Sequence, residues 1–264
     1  MRENKLKSIW QNGGGTVNGW LHIPSTWSAE VMASQGWDSL TIDMQHGLMG
    51  LETAIQMLQA ISTTDVTPMV RVNWNEPGQI MRVLDAGAYG VICPMVDTRE
   101  QCEAFVGACR YHPDGYRSLG PTRAMVYAGD DYAVNANKTV LALAMIETKT
   151  AMDNLEAIAS VPGLDGFYIG PGDLSLSLFG KGVMDSETPE FLAAIDQILD
   201  AARRNNLIVG MHVASTDYGL KMIQRGLQFV SILSDTAFLR GAAKAAVTAM
   251  KTGVGQASGQ RSAY

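Results

Sequence analysis

Eight short apolar runs, separated by amphipathic stretches, constrain the fold of this chain more than any other feature. In most of the stretches between them, apolar residues recur at positions i, i+3, i+4 and i+7, the spacing of a helix with one buried face. Each run is short and nearly continuous, as expected of a parallel strand that is buried on both faces. The runs are TVNGWLHI at 16–23, DSLTIDM at 38–44, TPMVRV at 67–72, GVICPM at 90–95, LALAMIE at 141–147, DGFYIG at 165–170, LIVGMHV at 207–213 and LQFVSIL at 227–233.

This alternation predicts an α/β fold, a single (β/α)8 barrel, for which a length of ~250 residues is usual. A doubly wound open sheet is the main alternative, but it normally has fewer strands and a glycine-rich phosphate loop after the first one. The glycines at 13–15 precede the first run instead of following it. We predict one domain over residues 1–264, with a core at about 15–250 and a flexible tail at 253–264.

Composition excludes several kinds of partner. Hydrophobic residues make up 47% of the chain, enough for a substantial core, and a net charge of −6 argues against a nucleic-acid partner. Cys93, Cys102 and Cys109 form no CxxC pair, so we expect neither a disulfide framework nor a zinc site. With no signal-like segment and no apolar run of ~18 residues, we expect a soluble cytoplasmic protein without membrane contact.

Residues 110–139 are too many for an ordinary connection between a strand and a helix. Long insertions in compact domains are often lids or binding loops. Arg117, within this segment, could attract a distal carboxylate of a substrate or could form a surface salt bridge. Both interpretations remain open from the sequence.

Two acids lie at the ends of neighbouring runs. Glu147 closes the fifth run and Asp173 follows the sixth. The carboxyl ends of barrel strands meet at one mouth, where two carboxylates could hold a hard divalent cation and leave positions for water and a chelating substrate. The alternative is that Asp173 caps a helix beginning at Leu174 while Glu147 forms an ordinary salt bridge.

Two further strand ends complete a possible chemistry. The second run leads to Asp43 and His46, and the third to Arg71. A cation that chelates an α-keto acid stabilises the neighbouring enolate, an arginine stabilises its oxyanion, and a histidine transfers protons near neutral pH. Separately, Arg71 could pair with an acid inside the barrel, and His46 could be a loop histidine.

The turn GPGD at 170–173 could bind an anion. Pro171 stiffens the turn, and Gly172 allows a substrate to approach the backbone. The N–H groups of Gly172 and Asp173 open the next helix, a favourable place for a carboxylate. A plain turn between a strand and a helix is the alternative.

Two other residues, Asp85 and Lys149, have side chains that could take part in the chemistry. Asp85, at the end of a predicted helix, could hydrogen-bond His46 or be an ordinary surface acid. A Schiff-base mechanism needs a desolvated lysine on a strand, and none of the eight runs contains one. Lys149 lies two residues beyond Glu147, in the predicted loop.

Several segments, in order, resemble the metal-dependent class II pyruvate aldolases of the 4-hydroxy-2-oxoheptanedioate aldolase and 2-dehydro-3-deoxyglucarate aldolase family. The resemblance covers roughly residues 15–250. It implies a barrel that forms a homo-oligomer, a trimer or hexamer, with the C-terminal helix exchanged between subunits. It also implies Mg²⁺, Mn²⁺ or Co²⁺ as cofactor. The segments are IDMQHG, PMVRVNWNEPGQIMRVLDAGAYGVICPMV, ACRYHPDGYRSLGP, MIETKTAMDNL and VPGLDGFYIGPGDLSLSLFG.

The resemblance also implies a role for each matching residue. The implied roles are His46 as catalytic base, Asp85 as the acid that increases its basicity, Arg71 as the group that stabilises the enolate and binds substrate, Glu147 and Asp173 as metal ligands, and Gly172 and Asp173 as the cradle for the substrate carboxylate.

Two residues depart from the family pattern. Gln45 stands where the family often has Glu, which reduces the charge near the base. Met145 stands where it commonly has Gln, which could contact substrate by hydrogen bonds that Met cannot donate. These departures put the aldehyde side of the site in doubt.

Together these observations predict an aldolase, a carbon–carbon lyase, that reversibly cleaves 4-hydroxy-2-oxo acids to pyruvate and an aldehyde. Within enzymes, the alternative is a CoA-thioester lyase of the citramalyl-CoA or malyl-CoA type. From another class, the alternative is a non-catalytic barrel that binds a keto acid.

Overall fold

The computed structural model describes residues 1–254, in which eight parallel strands close into a barrel with neighbours in sequence order. This confirms the predicted (β/α)8 architecture, and each predicted strand matches an observed one to within two residues at either end. Residues 255–264 of the predicted flexible tail lie outside the described range. The strands are β1 (Thr16–Leu21), β2 (Ser39–Asp43), β3 (Thr67–Arg71), β4 (Gly90–Cys93), β5 (Leu141–Ile146), β6 (Gly166–Ile169), β7 (Ile208–Val213) and β8 (Phe229–Ile232).

Helices surround the barrel and connect successive strands. Over residues 1–254 they are α1 (Lys5–Gln11), α2 (Thr26–Ala33), α3 (Leu51–Ile61), α4 (Pro77–Asp85), α5 (Arg99–Cys109), α6 (Thr122–Ala128), α7 (Tyr132–Thr139), α8 (Lys149–Asp153), α9 (Leu155–Ala159), α10 (Pro171–Phe179), α11 (Pro189–Arg204), α12 (Thr216–Arg225) and α13 (Asp235–Gly253). No helix in this range has the length and apolar character needed to cross a membrane.

Several helices begin at a hydroxyl side chain soon after a strand ends. Thr98 starts α5 with a capping box, in which its side chain accepts from the Gln101 amide and the Gln101 side chain accepts in return. Thr148 and Ser215 cap α8 and α12 by accepting amide N–H groups of the first turn. These caps keep the connections at the carboxyl ends of β5 and β7 short, so side chains there lie close to the mouth.

A small helix closes the amino-terminal end of the barrel. Leu6 and Trp10 of α1 are buried together with Phe229 inside the barrel. The Trp10 indole donates from Nε1 to Thr16 Oγ1 and to the Gln228 carbonyl, each at 2.9 Å. Trp10 therefore closes this end of the barrel with its large ring, and its indole N–H is hydrogen-bonded although it is buried.

The first and last strands are joined at the barrel seam. β1 pairs with β8, with Val17 opposite Val230. Asp235, the first residue of α13, accepts the backbone N–H of His22 at 2.9 Å and of Ile23 at 3.1 Å. The Asp235 carboxylate, at the start of the last helix, thus fixes the backbone that follows β1.

Within residues 1–254, no residue of the segment 110–139 lines the cavity at the carboxyl ends of the strands, so one chain alone shows neither a lid nor a binding loop there. The segment contains α6 and α7, and it packs near the amino-terminal ends of β4 and β5. Arg117 is buried and donates from Nη2 to Asp85 at 2.7 Å. Within one described chain Arg117 therefore forms a salt bridge, in which the arginine is buried and Asp85 is partly exposed.

Helix α13 differs from the other long helices because almost all of it is exposed. Leu239, Val247 and Met250 are 54–70% exposed, while Asp235 in the first turn is buried. Cys93, Cys102 and Cys109 are free and buried in the described part of the chain.

Candidate active site

A cavity of about 260 Å³ opens at the carboxyl ends of the strands, the end at which barrels of this architecture carry their chemistry. Five of the six residues predicted to act in the site line it together: His46, Arg71, Glu147, Gly172 and Asp173. The other lining residues are Trp20, His22, Met145, Tyr168, Gly170, Pro171, Met184 and His212.

Arg71, at the end of β3, is held by Asp43, its register partner at the end of β2. Its Nε donates to Oδ1 at 2.8 Å and its Nη2 to Oδ2 at 2.6 Å. Burial would raise the pKa of Asp43, but hydrogen bonds from His22 and Arg71 outweigh it and hold that pKa well below the ordinary value. Arg71 thus both pairs with an acid inside the barrel and lines the cavity, as a rigid fork rather than a mobile cation.

Aromatic side chains support this pair from inside the barrel. The Trp20 indole donates from Nε1 to Asp43 at 3.1 Å, and the Arg71 guanidinium lies 4.9 Å from the centre of its ring. Tyr168 stacks on Trp20 with ring centres 5.7 Å apart. The orientation of Arg71 is therefore fixed by side chains from three strands.

Glu147, directly after β5, is a buried carboxylate that has no ion pair with any residue of 1–254. Its Oε1 accepts the backbone N–H of Met95 at 2.7 Å, and Met95 adopts a left-handed φ of 54° to present that group. Burial raises the pKa of Glu147 to about 7, and the nearby charge of Asp173 acts in the same direction. Gly170 is required here because a Cβ would lie 2.5 Å from Glu147 Oε2.

Asp173 lies in the first turn of α10, whose N-cap is Gly170. The proposed alternative, Asp173 as the N-cap of a helix from Leu174, is therefore wrong: the helix starts at Pro171. Amide N–H groups in this first turn have no acceptor within the helix. Gly172 and Asp173 both line the cavity, and their role as an anion cradle stays a prediction.

The donor set at this mouth fits a divalent cation. Burial of Glu147 without a cationic partner is costly, and the second carboxylate of Asp173 adds to that cost. Within residues 1–254 no group of three or more Asp, Glu, His or Cys side chains is arranged for a metal ion. A two-carboxylate site leaves the remaining positions of a hard cation for water and substrate oxygens, which suits catalysis better than a structural role.

His46 lies in the turn after β2, at the exposed rim of the cavity. Its backbone N–H donates to Asp43 Oδ1 at 3.3 Å, so the acid that orients Arg71 also fixes the backbone of His46. Gly47 allows the tight turn because a Cβ would lie 2.1 Å from the Asp43 carbonyl oxygen. His46 and Arg71, the predicted base and the predicted enolate-stabilising residue, are thus both positioned by one carboxylate.

Asp85 is the predicted site residue that the single chain does not bring to the cavity. It ends α4, at the opposite end of the barrel from His46, and its carboxylate pairs with Arg117. Within one described chain Asp85 therefore does not act on His46, and its role in raising the basicity of that residue stays a prediction.

The sequence matches the profile of the HpcH/HpaI aldolase/citrate lyase family over residues 19–242. The chain belongs to this family. It is 39% identical over 241 residues to a hydroxypyruvate/pyruvate aldolase from Rhizorhabdus wittichii, an alignment that covers 91% of this chain and 96% of the relative. It is 35% identical over 262 residues to a 4-hydroxy-2-oxo-heptane-1,7-dioate aldolase from Escherichia coli, covering 96% and 99% of the two chains.

A solved structure agrees with this assignment. The crystal structure of an HpcH/HpaI aldolase/citrate lyase family protein from Burkholderia cenocepacia superposes with a TM-score of 0.86 at 28% identity, over 94% of this chain and 99% of the other. Membership of the HpcH/HpaI family makes this chain an aldolase, a carbon–carbon lyase. The family is generally dependent on a divalent metal ion.

The two departures from the resembled family pattern have structural counterparts. Met145 is buried and lines the cavity, with its sulfur 4.0 Å from Arg71 Nη1. The side-chain oxygen of Gln45 is buried without a hydrogen-bond partner in residues 1–254. The cavity wall beside Arg71 is therefore apolar, where a glutamine would offer hydrogen bonds.

Five cavity residues were not identified from the sequence: Trp20, His22, Tyr168, Met184 and His212. His22 follows β1 and donates from Nε2 to Asp43 at 2.8 Å, since an ionised carboxylate only accepts. His212 lies within β7, with its ring centre 5.0 Å from the Trp20 ring centre and the two rings nearly perpendicular. A polar residue inside an apolar run was the available signal for His212.

A larger hollow, of about 770 Å³, lies at the amino-terminal end of the barrel between α1 and α11. The charged groups there are already paired: Lys7 donates to Asp165 at 2.9 Å, and Arg203 pairs with Asp200. Barrel enzymes carry their active sites at the other end, and the mouth cavity has the reactive groups. We therefore place the active site of this HpcH/HpaI family member at the mouth.

Proposed function

We propose that this aldolase reversibly cleaves 4-hydroxy-2-oxo acids to pyruvate and an aldehyde, using a divalent cation held by Glu147 and Asp173. The single observation that carries the proposal is the buried Glu147 carboxylate, which lacks a cationic partner in residues 1–254 and faces the same cavity as Arg71. The proposal is also supported by two related chains, which are named as hydroxypyruvate/pyruvate aldolase and 4-hydroxy-2-oxo-heptane-1,7-dioate aldolase.

The carboxyl end of the substrate is bound by the turn that opens α10. The N–H groups of Gly172 and Asp173 donate to the substrate carboxylate, where the helix N-terminus favours negative charge. Glu147 and Asp173 would hold Mg²⁺, Mn²⁺ or Co²⁺, and the bound cation would supply Lewis acidity to the 2-oxo group. Arg71, kept rigid by Asp43, donates to the oxygen on which negative charge develops.

Cleavage of the C3–C4 bond then needs a base and a group that accepts the bonding electron pair. His46 takes the proton of the 4-hydroxyl, the C4–O bond becomes a carbonyl, and the C3–C4 bonding pair becomes the enolate of pyruvate. The aldehyde leaves, and a proton delivered to C3 converts the enolate to pyruvate. Addition of pyruvate to an aldehyde is the same sequence in reverse.

The alternative of a CoA-thioester lyase has less support. Apart from histidines, Arg71 is the cationic residue among the described residues that line the mouth, and two of its three nitrogens already donate to Asp43. A site for the phosphates of CoA normally presents several free basic groups. The cavity of about 260 Å³ suits a small keto acid better than a pantetheine chain.

We also propose that the chain forms a homo-oligomer in which α13 packs against a neighbouring subunit. Exposed apolar side chains such as Leu239, Val247 and Met250 would cost less if another chain covered them. The buried first turn of α13 anchors the helix to β1 at its start. This arrangement matches the exchanged helix implied by the sequence resemblance.

Two linked measurements test the proposed function. Thorough treatment with EDTA should abolish aldol cleavage, and Mg²⁺, Mn²⁺ or Co²⁺ should restore it. Exchange of the pyruvate C3 protons into D₂O, followed by NMR, should show the same metal dependence because it needs only the enolate half of the site. Full activity after chelation would refute the metal role, and a protein that binds pyruvate without exchange would be a binding barrel rather than an aldolase.

A further inference from the structure

His212, on β7, is a residue of the mouth cavity. Its imidazole makes no hydrogen bond to any group in residues 1–254, although it is only partly exposed. It lies on β7 with Ser231 of β8 as register partner. A polar group at a cavity wall with its hydrogen-bonding capacity unused is a candidate for contact with a ligand.

The order of strands places His212 next to the proposed carboxylate cradle, on the side opposite to Glu147. Glu147 follows β5, and the carboxylate cradle follows β6. Continuing round the closed barrel, the next side chains at the mouth are His212 on β7 and then Trp20 and His22 on and after β1. The wall formed by His212, Trp20 and His22 is therefore the part of the cavity that continues beyond the proposed cradle in this direction.

The imidazole there is held neutral by its surroundings. Burial lowers the pKa of His212 to about 4, and the charge of Arg71 acts in the same direction. The edge of the ring packs against Trp20, with an interplanar angle of 84°, which fixes its orientation. At neutral pH His212 thus offers one hydrogen-bond donor and one acceptor without a charge.

No free cation of residues 1–254 stands beside it to receive a second carboxylate. The Arg71 fork is engaged by Asp43, and His22 directs its Nε2 proton to the same acid. A carboxylate at the far end of a substrate would be desolvated there against an uncharged imidazole and the Trp20 ring, which is unfavourable. A hydroxyl or carbonyl group at that position would instead form a hydrogen bond with the imidazole.

We propose that His212 determines aldehyde specificity, by hydrogen bonding a hydroxyl or carbonyl oxygen on the aldehyde-derived part of the substrate. This rests on the proposed function and narrows its substrate class. The favoured aldehydes are small and uncharged and carry a hydroxyl next to the reacting carbonyl. Aldehydes with a distal carboxylate are disfavoured.

The test compares two aldehydes of equal size in three enzymes. Glycolaldehyde and propanal differ by one hydroxyl in place of a methyl group, and each is added to pyruvate by wild type, His212→Leu and His212→Gln. The ratio of kcat/KM for glycolaldehyde over propanal should favour glycolaldehyde in the wild type. It should fall about 10-fold in His212→Leu, which cannot hydrogen-bond, and should be largely kept in His212→Gln, which retains a donor and an acceptor.

The ratio also separates this assignment from trivial causes. Hydration of the aldehydes in water and loss of folded enzyme cancel, because each ratio is taken within one enzyme preparation and compared between enzymes. An unchanged ratio in His212→Leu, or an equal loss for both aldehydes in both variants, would overturn the assignment. Succinic semialdehyde, with its distal carboxylate, should be the poorer acceptor in the wild type, and a preference for it over glycolaldehyde would also overturn it.

Failure of the proposed function would look different. If wild type gives no metal-dependent exchange of pyruvate protons in D₂O, the aldolase proposal itself is refuted and the assignment of His212 falls with it. If exchange is present but the acceptor ratio does not respond to position 212, only the assignment of His212 is refuted.

Discussion

The two ends of the barrel treat buried charge in opposite ways. At the amino-terminal end, Asp165 accepts from Arg110 at 2.5 Å, from Lys7 at 2.9 Å and from the Ala142 amide at 2.8 Å. At the mouth, Glu147 accepts one amide and pairs with no cation of residues 1–254. At the amino-terminal end, side chains of the protein itself neutralise the Asp165 carboxylate. At the mouth, the Glu147 carboxylate has no such cationic partner in residues 1–254. The difference shows where the chain is built for stability and where for binding.

Replacing Arg71 with alanine should give the largest effect, and it acts on the mouth. Removing a fixed donor to the enolate oxygen should lower kcat/KM for aldol cleavage about 10³-fold. Binding of Mn²⁺, measured by calorimetry, should change little because Arg71 is not a proposed ligand. Arg71→Lys should also be impaired, since lysine lacks the two-pronged geometry.

The matched control for that variant is an arginine at the other end. Arg203 is 70% exposed and pairs with Asp200 on the surface of α11, so Arg203→Ala should leave kcat/KM unchanged. Cleavage by Arg71→Ala at a rate near wild type would refute the assigned role of Arg71.

Replacing Arg110 with methionine should affect stability rather than chemistry. It removes donors to Asp165 and to the carbonyls of Val140 and Gly163, all at the amino-terminal end. Breaking a buried pair from one side should lower the free energy of unfolding by about 3 kcal/mol. Urea denaturation checks this, and kcat/KM at 25 °C should stay at the wild-type value. A large loss of activity in still-folded protein would contradict the separation of the two ends.

Replacing Glu147 with glutamine should raise the free energy of unfolding of the metal-free protein, whereas replacing Arg110 lowers it. The pKa of Glu147 is raised from 4.5 to about 7, so the folded state binds more protons than the unfolded state between these values. Wild-type stability should therefore fall as pH rises from 4.5 to 7 because of this group, and the penalty should be complete above that. Glutamine does not titrate, so Glu147→Gln should be the more stable protein above pH 7 by about 3 kcal/mol.

The check is urea denaturation of both metal-free proteins across that pH range. The stability gap should shrink toward zero as pH falls through the range, and Glu147→Gln should lose metal-dependent activity. A gap that does not depend on pH would mean that Glu147 carries no unbalanced charge.

The sequence predicted the strands well because burial on both faces leaves a local signal. Each apolar run became a strand, and the side chains at four strand ends met at one mouth because closure of a parallel barrel requires it. His46, Arg71, Glu147 and Asp173 were found in this way. Their roles in catalysis remain predictions until the variants are measured.

What the sequence did not predict depends on contacts between distant residues. The pairing of Asp85 with Arg117 depends on how the segment 110–139 folds into α6 and α7, which no local pattern specifies. The direction in which His212 points depends on strand register, since a shift of one residue moves a side chain to the other face. The central role of Asp43 likewise appears only when β2 and β3 are aligned.

The barrel seam has a consequence for the order of events during synthesis. β1 is made early, yet its partner β8 and the Asp235 carboxylate that holds the backbone after β1 are separated from it by more than 200 residues. One edge of β1 therefore stays without hydrogen-bond partners until nearly the whole chain has left the ribosome. Such distant pairing makes closure slow, and the nascent chain must be protected from association through that edge while it waits.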